Sequence, residues 1–204
     1  MLSDEYIEDK YNEKHTIIHV FNSILIYIKK IGFHFFLLFT TAFFSKNINK
    51  KIIIFSTSLN NEVALSPIKE QLNESIQLTK DYRLKRNGYL FPMFPPLVLS
   101  MILLPVFIYL FIKSNKKEKK RLLLFSHDIL LSIGYDICVK YYLKYLSPKG
   151  IVFSNDHIFY TRSLIKHAKK KEIHSFYIQH SAVTEIFPPI ISSFALLEGL
   201  ESHR

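Results

Sequence analysis

Two clusters of polar side chains stand where apolar runs give out near the carboxyl end of the chain. Asn155, Asp156 and His157 follow IVFS, and Gln179, His180 and Ser181 follow SFYI. A carboxylate beside an imidazole can take a proton from a hydroxyl, and histidine titrates nearest neutrality. Arg162 lies about one and a half helical turns beyond His157, where its guanidinium can hold an anion or a sugar. Glu198, at the end of the run FALLE, is either a hydroxyl binder or a solvated cap. His180, Asp156 and His157 are therefore the candidates for base chemistry. Asn155, Arg162, Gln179, Ser181 and Glu198 are the candidates for binding.

Each cluster also has a plainer reading. Asn155 or Asp156 can simply cap the following helix. A histidine at a strand end is often hydrogen-bonded scaffolding. The loop after it continues through Thr184 and Glu185 to Phe187, Pro188 and Pro189, where the prolines fix φ and stiffen it. Pairing strengthens the functional reading, because two parallel strands deliver the groups after them to one edge. In open parallel sheets that edge is where ligands bind.

The elements that must position these groups follow from apolar patterning. KIIIFS (residues 51–56) reads as a buried strand opening an α/β unit. Asn60 or Asn61 can cap a helix carrying Val63, Leu65, Ile68 and Leu72, and residues 75–79 form the next strand. Residues 80–96 read as a loop from their proline, glycine and charge content. Most of residues 122–146 reads as one amphipathic helix with Leu130, Ile133, Ile137, Tyr141 and Tyr145 on its inner stripe. SPKG stops it before the strand IVFSN. The next helix, around 160–170, turns Leu164, Ile165 and Ala168 inward and ends in lysines that suit a helix carboxyl terminus. About five strands alternate with helices. The fold class is α/β, a Rossmann-like parallel sheet with flanking helices, occupying residues 51–204 after a helical apolar region at 1–50.

Two apolar regions lie outside this pattern. Residues 16–44 suit packed helices on either side of a wet basic hinge at Lys29 and Lys30. Residues 97–112 approach the length of a bilayer span, but Pro92, Pro95, Pro96 and Pro105 crowd them and the cluster KSNKKEKKR follows. A buried helix, or a helix lying in the interface of an anionic membrane, fits better than a span.

The formal net charge of +10 attracts anions, although a Lys- and Ile-rich composition throughout gives the same value without a partner. The one cysteine, Cys138, excludes an internal disulfide or a cysteine metal cluster and fits a reducing cytoplasm. The acid-rich start is the reverse of a secretory signal. No metal-ligand spacing, GxGxxG, phosphate-binding GxxxxGK[ST] or GxSxG occurs, so no metal or cofactor is expected. Nucleic-acid binding would rest on charge alone and is not expected.

The run GIVFSNDHIFYTRSLIKHAKKKEIHSFYIQHSAVTEIFPPIISSFALLEG, residues 150–199, resembles bacterial surface-polysaccharide glycosyltransferases of the two-domain GT-B architecture. The resemblance covers this quarter of the chain. It implies an amino-terminal, acceptor-side domain whose site draws on Asn155, Asp156, His157, Arg162, Gln179, His180 and Glu198. Ser181 stands where a glycine or alanine is usual. In such enzymes the nucleotide sugar is held by a second, carboxyl-terminal domain, and the sequence ends at Arg204 just after the Glu-Gly turn. The expectation is therefore a truncated or split capsule or lipopolysaccharide glycosyltransferase-like protein, inactive alone and peripheral to the inner face of the cell membrane. Its acceptor would be a saccharide or a lipid-linked saccharide, with a nucleotide sugar engaged only if a donor domain is supplied. The alternative is a membrane-associated binding or scaffold protein without catalysis.

Overall fold

Ile52 to Phe55 are β-branched or aromatic, and they form most of β1 (Ile52–Ser56) in a parallel sheet. The computed structural model describes residues 25, 28–33, 35, 51–80, 88–179 and 189–197. After β1 come α1 (Leu59–Gln71), β2 (Ser75–Thr79), β3 (Tyr89–Leu90), α2 (Phe94–Ile102), α3 (Leu104–Lys113) and α4 (Lys116–Leu124). Then follow α5 (Ser126–Leu146), β4 (Gly150–Phe153), α6 (Phe159–Lys169), β5 (His174–Ile178) and β6 (Phe194–Leu196). Every pairing is parallel and the spatial order is β3-β2-β1-β4-β5-β6. This is the order of a doubly wound, Rossmann-like sheet.

Register decides which side chains share a face. Ile54 lies between Gln77 and Val152, Val152 lies beside Phe176, and Phe176 beside Phe194. Side chains alternate along each strand, so this row belongs to one face. There α1 supplies Leu65 to a cluster with Ile54 and Val152, flanked by Ile52, Leu72 and Ile178. The opposite face buries Ile53, Phe55, Ile151, Phe153 and Tyr177. Phe91 packs edge-on against Phe55 at 6.1 Å and against Tyr142 of α5 at 5.2 Å. In α6, Leu164, Ile165 and Ala168 are buried as their spacing predicts. Cover on the α1 face runs out at the β6 edge, where Phe176 and Phe194 stack at 5.0 Å yet remain 36% and 52% exposed.

The chain divides into two compact units: Met1–Thr40 with Met93–Ile137, and Thr41–Pro92 with Cys138–Arg204. The sheet lies wholly in the second. In the first, α2 begins with Pro95 and Pro96, whose missing N–H groups cost nothing in an opening turn. Its buried residues are Pro96, Leu97 and Ser100. At Gly134 of α5 an added Cβ would run into Pro96 O and Ser100 Oγ, so the close approach of these helices requires glycine.

Several sequence expectations change. Six strands replace about five, because β3 lies inside the segment read as a loop. The cap of α1 is Ser58, with Asn61 in the first turn, and Val63 is 65% exposed. Residues 97–112 are not one helix: α2 and α3 meet at a 49° bend. Pro105 has no N–H with which to continue the α2 ladder, and the chain breaks there. Residues 28–33 are helical through Lys29 and Lys30, so the two lysines form no hinge there. Lys30 is part-buried, with Nζ 3.1 Å from His127 Nε2, and burial lowers its pKa against the attraction of Asp128. On α5 the expected inner stripe is mostly outside. Ile133, Ile137, Tyr141 and Tyr145 are exposed, whereas Leu131, Tyr135, Cys138, Val139, Tyr142, Leu143 and Leu146 are buried with Leu130. Both faces of α5 are apolar, so spacing alone chooses the wrong one.

Among the described residues no single helix is long and apolar enough to cross a membrane. Two bent pairs, α2 with α3 and α4 with α5, meet the length and composition of a broken span.

Candidate functional site

The order of the sheet reverses between β1 and β4. From β1 the chain moves outward through α1 to β2, and from β4 it moves the other way through α6 to β5. Right-handed crossovers put those helices on opposite faces. The carboxyl ends of β1 and β4 therefore mark the switch point of a doubly wound sheet, the place where such sheets bind their ligands.

From β4, Ser154 is buried and its Oγ donates to Asn61 O at 3.4 Å, tying the strand end to the first turn of α1. Asn155 Oδ1 accepts from His157 N at 3.2 Å, a local turn that carries the chain into α6. Neither Asn155 nor Asp156 caps that helix. The cap position is Ile158, with no side-chain hydrogen bond. The capping alternative therefore fails, and the Asp156 carboxyl is not consumed by it.

Asp156 is 5% exposed, and its Oδ2 has no hydrogen-bond partner among the described residues. Burial raises its pKa, opposed by the positive charges of Arg162 and then His157. Tyr177 on β5 senses the same carboxylate: burial first, then Asp156, pushes its phenol up. Arg162 Nη1 donates to Pro189 O at 3.4 Å, so the guanidinium joins α6 to the segment leading into β6. Gln179 is buried, and its backbone N–H donates to Leu196 O at 2.9 Å.

Asn155, Asp156, His157 and Arg162 thus gather where β4 passes into α6, with Gln179 ending the neighbouring strand on the same edge. His180, Ser181 and Glu198 lie outside the described residues. No group of three or more potential metal ligands occurs among the described residues.

The β1 side of the switch point holds residues that sequence reasoning missed. Thr57 Oγ1 donates to Asn61 Oδ1 at 2.7 Å and Ser58 Oγ to the same oxygen at 2.9 Å. Asn61 N donates back to Ser58 Oγ at 3.4 Å. The start of α1 is closed by its own side chains, unlike the open glycine turn that receives a pyrophosphate. Beyond β2, Lys80 Nζ sits 4.1 Å from the centre of the Tyr160 ring in the first turn of α6. The signal for this side was the TSLNN run after KIIIFS, a cap sequence on a strand end.

A buried carboxylate with an oxygen left over, a guanidinium held nearby and an exposed imidazole can orient a hydroxyl and accept its proton. The chain matches no protein-family model and no curated protein sequence.

Proposed function

We propose that the protein is the acceptor-side domain of a glycosyltransferase-like system of bacterial surface-polysaccharide synthesis, with a saccharide or lipid-linked saccharide bound at the switch point. The observation that carries this reading is Asp156: buried, raised in pKa, and with Oδ2 unpartnered among the described residues beside Arg162. A carboxyl raised toward neutrality is a better base than an ordinary one. The resemblance of residues 150–199 supplies the chemistry. An acceptor hydroxyl attacks the anomeric carbon of an activated sugar, its proton passes to Asp156 or His180, and the nucleoside phosphate leaves with the bond electrons. His157 and Arg162 hold the acceptor or its anionic group, and Asn155, Gln179, Ser181 and Glu198 complete the binding set. The nucleotide sugar belongs to a donor domain, supplied by further sequence or by a partner chain.

The test is reconstitution. Residues 1–204 alone should bind nucleotide sugars weakly and transfer nothing. With a donor domain supplied, transfer should appear and fall about 100-fold to 10,000-fold in Asp156→Asn or His180→Ala. Circular dichroism must first show both variants folded. Robust transfer by residues 1–204 alone would overturn the acceptor-side reading, and folded variants with full turnover would assign both side chains to scaffolding.

A further inference from the structure

None of the ten residues of α3 is buried, and its only charged residue is Lys113 at the end. Val106, Tyr109 and Ile112 are 55%, 60% and 64% exposed, and Ile108 and Leu110 48% each. These positions cover somewhat more than half of the helix circumference, and Leu104, Phe107 and Phe111 on the remainder are half-buried. Water solvates such a surface poorly. The next helix is cationic: α4 carries Lys116, Lys117, Lys119, Lys120 and Arg121 against a single acid, Glu118. The two helices pack together, with Lys119 Nζ 5.8 Å from the centre of the Phe111 ring.

We infer that α3 inserts into one leaflet of an anionic bilayer while α4 rests its cations on the headgroups. At about 1.5 Å per residue α3 is about 15 Å long, half of a hydrocarbon core of about 30 Å. It is one leaflet deep and cannot span. Its backbone is prepared for hydrocarbon, where unmet polar groups are costly. Leu103 N donates to Leu99 O at 3.0 Å and Phe107 N to Leu103 O at 3.1 Å, which closes the bend before α3. At its other end Ser114 N and Oγ both donate to Leu110 O, at 3.0 and 2.8 Å. The bend at Leu103 separates a helix with a buried side, Pro96, Leu97 and Ser100 of α2, from α3, none of whose residues is fully buried. Charge decides the occupant. A second copy would bring the same cations to the contact, whereas anionic lipid neutralises them.

This inference goes beyond the saccharide reading and is tested without sugar. The chain has no tryptophan, so Tyr109→Trp in residues 1–204 places one reporter on α3. With vesicles of phosphatidylcholine and phosphatidylglycerol at about three to one, its emission should shift to the blue and be quenched by bromine in the acyl chains. Ile108→Asp with Ile112→Asp should abolish sedimentation with vesicles. Replacing Lys116, Lys117, Lys119 and Lys120 by Gln should weaken binding to the anionic vesicles about fivefold per lysine and leave binding to pure phosphatidylcholine unchanged. Asp156→Asn should bind vesicles as the parent does, which keeps the two proposals separable. An unshifted reporter, or undiminished binding by the double aspartate variant, overturns the inference. So does a dimer in sedimentation equilibrium that dissociates in that variant while vesicles capture nothing, which would give the α3 surface to a second copy.

Discussion

Replacing Asp156 by Asn keeps the side-chain shape, removes the charge, and should make the protein more stable at neutral pH. Burial is the largest influence on this carboxyl and raises its pKa against the pull of Arg162 and His157. A folded-state pKa above the unfolded value means that the folded protein binds the proton more tightly. Folding therefore penalises the charged form above the folded pKa. The penalty shrinks as pH falls from there toward the ordinary value of about 3.9 and is absent below it. Asn carries no such penalty at any pH. A buried acceptor left without a partner costs about 1–3 kcal/mol, and an Asn amide retains part of that cost. The expected gain is therefore about 1 kcal/mol. For a chain of 204 residues that moves Tm by roughly 2–4 °C. Thermal melts of both proteins by circular dichroism, from about pH 7 down to about pH 4, should show the variant ahead at neutral pH and the two converging in acid. A variant less stable at neutral pH would refute the reasoning. The attraction of Arg162 would then outweigh desolvation, and Asp156 would be half of a structural ion pair and not a group held at a cost for use.

Phe91→Ala removes a ring 1% exposed and packed edge-on against Phe55 and Tyr142; urea unfolding should show a loss of about 3–5 kcal/mol. Gly134→Ala should also destabilise, by about 1–3 kcal/mol, although alanine is the better helix former, because Pro96 O and Ser100 Oγ occupy the space its Cβ needs; melts of the two proteins decide it. Burial pushes the Cys138 thiol up to about 11, against a weaker opposing hydrogen bond from Tyr142. Iodoacetamide at about pH 8 should label it some two-hundredfold more slowly in the native protein than in urea, where a thiol of ordinary pKa near 8.5 is about one-quarter ionised.

How far the sequence could be read depended on whether a pattern admitted one burial solution. β1, β4 and β5 were legible because short β-branched or aromatic runs end in polar residues, and α6 because only one of its faces is apolar. α5 was legible as a helix but not as an orientation, since Tyr135, Val139 and Tyr142 on one side are as apolar as Ile133, Ile137 and Tyr141 on the other. β3 escaped notice because two residues, Tyr89 and Leu90, pair with Leu78 and Thr79 without any periodicity to announce them. At the site, Asn155, Asp156, His157 and Arg162 could be chosen from residue type and strand-end position. The roles of Thr57, Ser58 and Asn61 could not, because the pairing that brings β1 beside β4 is a property of the whole sheet.

That same pairing has a consequence for how the chain is made. Ile52 takes its place beside Gly150, and Phe55 beside Phe153, so the central seam of the sheet joins segments roughly a hundred residues apart. Between them the chain must produce α1, β2 and β3 and then the run from α2 through α5. Loop closure over such a distance is only modestly unfavourable, since each doubling of length adds about 0.6 kcal/mol. Time is the larger burden. At about 5–20 residues per second, β1 leaves the ribosome some 5–20 s before its second neighbour exists. For that interval an apolar strand destined for the middle of the sheet stands as an edge, open to pairing with another nascent chain. Cells making this protein must therefore keep that edge covered, or slow enough to find a partner only in its own chain.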